Sequence, residues 1–295
     1  MTKPVAHRFW RTSCTAAVQQ VRQNGQVRLA QRAWPPVALL ALAFTAWEGW
    51  VRLRDVPEYV LPPPSQVAAT AVESGHLLPA PLGTTLLETG LGLLAGLVIG
   101  AGVALLVVAV PFARRSVGPL LVASQTIPMI VLAPIFALVF GIGLVPKVVV
   151  VALVTFFPVA ISTIAGLDGA DDELVDLVRS LDQRTSALLR VVRIPAAVPA
   201  LVAGLRISSA YAVAGAVIAE GTGGDRGLGF FINRAQGSFR VDRVIVAVVV
   251  VALISAVLYG LVGVVGRLIA PWAHFAPASP LTSSVPVVPL QEVRL

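Results

Sequence analysis

DGADDELVDLVRSLDQRTSALLRVVRIPAAVPALVAGLR, residues Asp168–Arg206, is the most densely charged internal stretch of a chain that is otherwise mostly apolar. Acids crowd its start, at Asp168, Asp171, Asp172, Glu173, Asp176 and Asp182, and arginines its later half, at Arg184, Arg190, Arg193 and Arg206. Leu174, Leu177, Val178 and Leu181 fall at i, i+3, i+4 and i+7, the apolar stripe of a short amphipathic helix. Acids at the start of that helix and Arg179 towards its end suit the helix macrodipole. A second short helix, about Thr185–Val192, is expected to follow until Pro195 interrupts it. Two short amphipathic helices in a charged loop, set between long apolar segments, make a docking surface for a soluble partner.

The composition outside this stretch sets the class. Of 295 residues, 57% are hydrophobic and 13% charged, and the mean hydropathy is +0.86. That is far too apolar for an ordinary soluble domain. A single cysteine, Cys14, rules out a disulfide framework or a thiolate metal cluster. Three scattered histidines, His7, His76 and His274, have no metal-ligand spacing. Neither a metal nor any other cofactor is expected.

Six membrane spans are expected, near 34–51, 84–110, 117–140, 145–166, 197–219 and 243–266, each close to the ~20 residues that cross a hydrocarbon core. The fifth needs its helix to extend back past Arg206, because Ile207–Ala219 alone is too short. Residues 1–33 form a basic arm with Lys3, Arg8, Arg11, Arg22, Arg28 and Arg32. The arm runs straight into the first span, so its charge reads as a cytoplasmic anchor and not as a nucleic-acid surface. The apolar run after it has no small-residue cleavage site, which predicts a retained helix and no signal peptide. With six spans and the amino terminus inside, fifteen of the cations fall on the cytoplasmic side. Seven (Arg52, Arg54, Lys147, Arg226, Arg234, Arg240 and Arg243) fall outside. The imbalance predicts that both termini are cytoplasmic. Residues 34–270 then form the membrane domain, with 168–206 as its cytoplasmic loop, and 271–295 reads as a disordered Pro/Ser/Val-rich tail.

Several features inside the spans bear on function. Gly92, Gly96 and Gly100 make a small-residue ridge, for packing within one subunit or at a dimer seam. Pro128 and Pro134 break the third span, with Ser124, Gln125 and Thr126 beside the first break. Polar groups and broken backbone at membrane depth either line a wet pathway or satisfy a kink. Phe156 and Phe157 in the fourth span either stack on a planar solute or pack in the core. Ser208, Ser209 and Tyr211 lie inward of Arg206 in the fifth. Glu88 and Glu220 are expected at the membrane interface. The run GTGGDRGLG after Glu220 lacks the G-x-x-x-x-G-K-[ST] phosphate loop and reads as an outer re-entrant turn.

These motifs together resemble the membrane subunits of ATP-binding-cassette (ABC) importers. The family's cytoplasmic loop reads roughly E-A-A, three residues, G, nine residues, I-x-L-P. Aligned on Pro195, it puts Asp176 at the glutamate, Leu177 and Val178 at the alanines, Asp182 at the glycine and Val192 at the isoleucine. Asp176 keeps the charge of the glutamate it replaces, and aspartate at 182 tolerates the bend. IPAAVPALVAGLR, the LPPP stretch after the first span, QTIP with APIFALVFGIGLVPK, and AVIAEGTGGDRGLGFFI are similar to the family as well.

The resemblance implies an all-α membrane protein of type I importer architecture in a bacterial plasma (inner) membrane. It implies a pathway subunit, paired as a homodimer or with a second permease. Its partners would be two ABC ATPase subunits inside and a solute-binding protein outside. It assigns ATPase coupling to Asp172, Glu173, Asp176, Leu177, Val178, Arg179, Asp182, Val192 and Pro195. Pathway lining falls to Ser124, Gln125, Thr126, Pro128, Phe156, Phe157, Ser208 and Tyr211. The chain itself carries no hydrolytic machinery and is not expected to be an enzyme. Its look is closest to permeases for thiamine-pyrimidine precursors or riboflavin-like compounds. Sulfonate, taurine or nitrate permeases are the alternative. A stand-alone secondary carrier is the rival from another class, but it calls for intramembrane ionisable residues, and the expected spans read as holding almost none at depth.

Overall fold

The structure is a computed structural model that describes residue 35 and residues 38–124, 129–181 and 184–274. All regular elements among the described residues are helical. Helix α1 covers 38–53, α2 Pro64–Glu73, α3 Pro79–Ala109, α4 Pro111–Ser124 and α5 Met129–Phe140. Helix α6 covers Leu144–Asp168, α7 Asp172–Leu181, α8 Thr185–Leu188, α9 Ile194–Gly223, α10 Leu228–Gly237 and α11 Val241–Ile269. The basic arm and most of the carboxyl-terminal tail lie outside the described residues.

Four of these helical rods are long and apolar enough to cross a membrane: α3, α6, Thr185–Gly223 and α11. The third expected span is not one described helix. It comes as α4 and α5, flanking residues 125–128, which lie outside the described residues. Helix α3 ends where Val110 takes an extended conformation (φ −119°, ψ 111°) ahead of Pro111, because a residue before proline is pushed out of the helical region. The expectation that Pro195 interrupts a helix is corrected. Leu189–Arg193 winds as a π-helix and the rod runs on unbroken from Thr185 to Gly223. Pro195 sits in the first turn of α9, where the shifted register of the wider turn leaves little for its missing N–H to lose.

The described residues divide into two compact units, those up to residue 74 with 239–246 and those from 75 to 238 with 247–274. In the first, Glu48 of α1 accepts hydrogen bonds from the Ser65 backbone N–H (3.0 Å) and Oγ (2.8 Å). Its carboxylate thereby caps the start of α2. Buried Asp242 accepts from Thr70 Oγ1 at 3.0 Å and from Arg240 at 2.8 Å.

The second unit is built on α3, α6 and α9. The glycine ridge of α3 faces α6: a Cβ at Gly92 would strike Val151, at Gly96 Thr155, and at Gly100 Val159. Of the two roles open to the ridge, this is packing within one subunit. Small residues let the helices approach closely where lipid supplies no hydrophobic drive between them. Thr155 Oγ1 uses the closeness to reach the Gly92 carbonyl at 3.4 Å. Gly204 of α9 fits against Pro158 and Ser162 of α6 in the same way. The core clusters lie along these contacts: Ala104, Leu167 and Ala197 towards one end, and Val151, Ala212 and Ala216 further along.

Candidate functional site

Helix α7 is short, so its own termini decide whether it forms. Asp171 caps it, accepting the Glu173 N–H at 2.9 Å. Asp172 and Glu173 occupy the first turn and Arg179 the last, each sign suited to the dipole. The helix docks through Val175 (5% exposed) and Val178, which pack on Ala170, Leu188 and Val192. The apolar stripe read from the sequence therefore splits. Val178 turns inward, while Leu174, Leu177 and Leu181 are 51%, 55% and 80% exposed. The inward direction is set by Val175, one residue off the expected stripe. What remains is an uncovered leucine ridge, with Asp176 exposed on another face and only 3.7 Å, at the limit of pairing, from Arg179. Val192 sits behind α7 in the cluster around Val175, and Pro195 follows it in the first turn of α9. Asp182 lies outside the described residues. Arg114, early in α4, pairs with Asp168 at 2.8 Å, which places the α3–α4 and α6–α7 connections at one end of the bundle.

The opposite end, about 32 Å away along α6 at 1.5 Å per residue, holds what the sequence reading missed. Glu88 of α3 and Lys147 of α6 form a 2.8 Å ion pair and are 1% and 4% exposed. Glu220 of α9, 1% exposed, accepts the Thr85 hydroxyl at 2.6 Å and the Gly229 N–H at 2.6 Å. Thr85 Oγ1 in turn accepts the Leu228 N–H at 2.9 Å. Leu228 and Gly229 open α10, whose preceding residue is a glycine that offers no side-chain cap. Glu220 and Thr85 therefore cap α10 from two other helices. Gly227 adopts φ +104°, and a Cβ there would collide with the Glu220 carboxyl. A Cβ at Gly229 would collide with the Val217 carbonyl.

The GTGGDRGLG run is thus backbone fitted around a buried carboxylate. What the sequence reading did not foresee is that Glu88, Glu220 and Lys147 are all buried within the protein. The helices do hold ionisable groups, and they are tolerated because each has a partner. The signal was present in the sequence as an acid and a base of opposite sign in two neighbouring apolar runs.

A pocket of about 560 Å³ opens beside this cluster, lined by the first turns of α3 and α6, by Glu88 and Lys147, and by Asp225 and Arg226. Of the residues expected to line a pathway, Gln125, Thr126, Pro128 and the side chain of Ser124 lie outside the described residues. Phe157 is buried against Leu121 and Ala160, and Phe156 meets it edge-on with ring centroids 4.9 Å apart. Ser208 is buried and donates to the Thr155 carbonyl at 2.9 Å, tying α9 to α6. Tyr211 is exposed. Ser208 and Phe157 are thus taken up in helix packing, while Tyr211 is left exposed. Ser209 turns back to its own helix, donating to the Arg206 carbonyl at 2.7 Å. Among the described residues no group of three His, Cys, Asp or Glu side chains is arranged to hold a metal.

Residues 92–271 match the family described as binding-protein-dependent transport system inner membrane component. The chain is 36% identical over 258 residues to the riboflavin transport system permease protein RibX of Chloroflexus aurantiacus, covering 85% of this chain and 96% of that protein. It is 32% identical over 247 residues to the formylaminopyrimidine transport permease protein ThiX of Halalkalibacterium halodurans, at 83% and 98% coverage. To the taurine transport system permease protein TauC of Escherichia coli it is 28% identical over 251 residues, at 83% and 91%. Among solved structures it is similar to a chain of the MetNI methionine ABC transporter in an inward-facing conformation. The TM-score is 0.54 and the identity 23%, over 65% of this chain and 94% of that one. The fold is that of a type I ABC importer permease.

Proposed function

We propose a division of labour between the two ends of this chain, which belongs to the family of binding-protein-dependent transport system inner membrane components and is the permease subunit of an ABC importer. The α7 end couples to ATPases and the opposite end handles solute. The observation that carries the first half is the leucine ridge, Leu174, Leu177 and Leu181, left uncovered on a helix that is itself capped and docked. An exposed apolar ridge flanked by Asp172, Glu173, Asp176 and Arg179 suits a groove on a soluble protein, with the charges fixing orientation. Two ATPase subunits grip this helix in a pair of permeases, and the rod Thr185–Gly223 passes their closure to the pathway as a rigid-body movement. Both termini, and α7, are cytoplasmic. A binding protein delivers solute at the far side of a bacterial plasma membrane.

The solute is a small nitrogen heteroaromatic. Identity of 36% and 32% to permeases named for riboflavin and formylaminopyrimidine, against 28% for the one named for taurine, supports this over a sulfonate-type anion.

The test of coupling is Asp176→Arg alongside Leu177→Asp. Both positions are exposed, so insertion and abundance in the membrane stay normal. Like charges at a desolvated contact, or an unpaired carboxylate pressed into an apolar groove, cost several kcal/mol, and each variant loses ATPase co-purification and ATP-driven uptake. Glu58→Arg, in the segment between α1 and α2, keeps its ATPase. Wild-type transport by Asp176→Arg and Leu177→Asp with the ATPase still bound would show that α7 is not the coupling surface.

A further inference from the structure

Arg206 sits inside the long apolar rod Thr185–Gly223, where a guanidinium is costly unless something answers its charge. Two glycines fix its level. Gly204, half a turn before it, fits against Pro158 and Ser162 of α6, and Gly263 of α11 lies against the guanidinium itself. Ser162 stands six residues before Asp168, the end of α6, and Gly263 six before Ile269, the end of α11. Both separations are about 9 Å at 1.5 Å per residue. Asp168 leads directly into α7, so Arg206 lies roughly two turns inside the bundle from the α7 end.

Nothing in the chain neutralises it there. The guanidinium carbon is 4.3 Å from the centroid of the Tyr259 ring, a cation–π contact. Nε is buried with no hydrogen-bond partner, and among the described residues no carboxylate pairs with the group. Gly263 supplies the room, since a Cβ on it would meet the guanidinium at 3.1–3.3 Å. Arg267 follows Gly263 by one turn on the same face of α11, nearer the helix end. It is exposed and forms no ion pair among the described residues. Beside these two cations, Leu261, Val264 and Leu268 make an exposed apolar ridge along α11.

We infer that the crevice between α9 and α11 holds the phosphate of an anionic phospholipid from the leaflet on the α7 side. Arg206 and Arg267 receive the phosphate oxygens, the Tyr259 ring backs the Arg206 guanidinium, and an acyl chain lies along Leu261, Val264 and Leu268. Depth and surroundings choose a lipid over a soluble anion. A long arginine stem reaches from this level towards the headgroup layer, and the surface beside it is apolar. Basic sites between helices on one leaflet are a recurring way to hold an acidic headgroup. Two cations without an acid call for a headgroup of net negative charge; in phosphatidylcholine the phosphate already carries its own ammonium. The inference goes beyond the importer reading and requires only that α9 and α11 cross a membrane.

The experiment places the full chain in phosphatidylcholine vesicles that contain phosphatidylglycerol with a photoreactive diazirine near the top of one acyl chain. Any lipid around the protein labels its apolar face, so the readout is headgroup selectivity at mapped peptides. In the wild type, labelling is expected around Arg206 and between Tyr259 and Leu268. Unlabelled phosphatidylglycerol displaces it about tenfold more effectively than added phosphatidylcholine, and inorganic phosphate leaves it unchanged. Arg206→Met lowers the selective labelling about tenfold, while Arg206→Lys, which keeps the charge, retains most of it. Arg234→Met removes an exposed cation of α10, at the other end of the bundle, and changes nothing.

Thermal unfolding in detergent gives a second readout, because a ligand of the native state raises the midpoint. Phosphatidylglycerol raises the wild-type midpoint more than phosphatidylcholine does, and the difference vanishes in Arg206→Met. If that variant does not accumulate, the wild-type selectivity at the two mapped peptides decides alone. Equal displacement by the two lipids overturns the site. Displacement by inorganic phosphate overturns the lipid and leaves a site for soluble anions. Selective labelling that Arg206→Met does not alter puts the selectivity on other groups and overturns the assignment as well. A variant that is unstable beside a wild type indifferent to headgroup gives Arg206 to a carboxylate of a second copy or of another protein.

Discussion

Lys147→Met tests whether the charges at the far end of the bundle are as tightly paired as their geometry says. Lys147 Nζ lies 2.8 Å from Glu88 Oε1, and the two side chains are only 5% and 1% exposed. The ammonium's other contact is a long 3.5 Å bond to the Arg226 carbonyl. Removing the lysine takes away the only cation beside Glu88 Oε1 among the described contacts. It also leaves that carboxyl beside a second one, that of Glu220. Breaking one side of a buried pair costs about 3–5 kcal/mol, which is roughly 10²–10⁴-fold in the folding equilibrium at about 1.36 kcal/mol per decade.

The same physics makes the double variant mild. Glu88→Gln with Lys147→Met removes both charges, and replacing a buried pair by uncharged groups is often neutral, so the loss shrinks to about 1–2 kcal/mol. The assay is a double-mutant cycle on thermal unfolding in detergent, with membrane abundance as a second measure. The expected signature is a coupling energy of at least ~2 kcal/mol. If Lys147→Met melts within a degree of wild type, or if the two changes simply add, the lysine reaches water and the pair is not the buried lock described above.

Two other substitutions probe the packing and the cap. Gly96→Val drives a side chain into Thr155 and towards the Ala152 carbonyl, so α3 must move off α6. Overpacking of this kind costs about 1–3 kcal/mol or more, and reduced abundance is expected where Gly90→Val, facing open space, shows none. Thr85→Val strands the Leu228 N–H and one Glu220 oxygen at about 1–3 kcal/mol each. Its expected readout is faster hydrogen exchange confined to the start of α10, restored by Thr85→Ser; unchanged exchange there would mean that α10 does not depend on this cap.

What could be read from the sequence divides along a physical line. Periodicity and apolar length report on one helix at a time, so four of the six expected spans, the helix α7 and the backward extension of the fifth span past Arg206 were legible. The position of the loop in a family pattern was legible too, because the pattern is carried by spacing along the chain. Lost to the sequence was whatever depends on which helix stands opposite. An apolar ridge of glycines reads alike whether it meets α6 or a second subunit, and only the fit of Gly92, Gly96 and Gly100 against Val151, Thr155 and Val159 chooses between them. A glutamate ten residues into an apolar helix reads alike whether it is exposed or paired, until a lysine from another helix is found 2.8 Å from it. The stripe on α7 misled for a related reason: three leucines outweigh two valines in any apolar count, yet the valines face the protein. That inversion is itself informative. On the coupling reading proposed above, a chain that turns its larger apolar side chains outward, on a helix held in place by its smaller ones, leaves its strongest hydrophobic contact for the ATPase. Burying the three leucines at even half their exposed area would supply a few kcal/mol at ~25 cal/mol per Å², enough to hold a short helix in a partner's groove once the charges beside it have set the register.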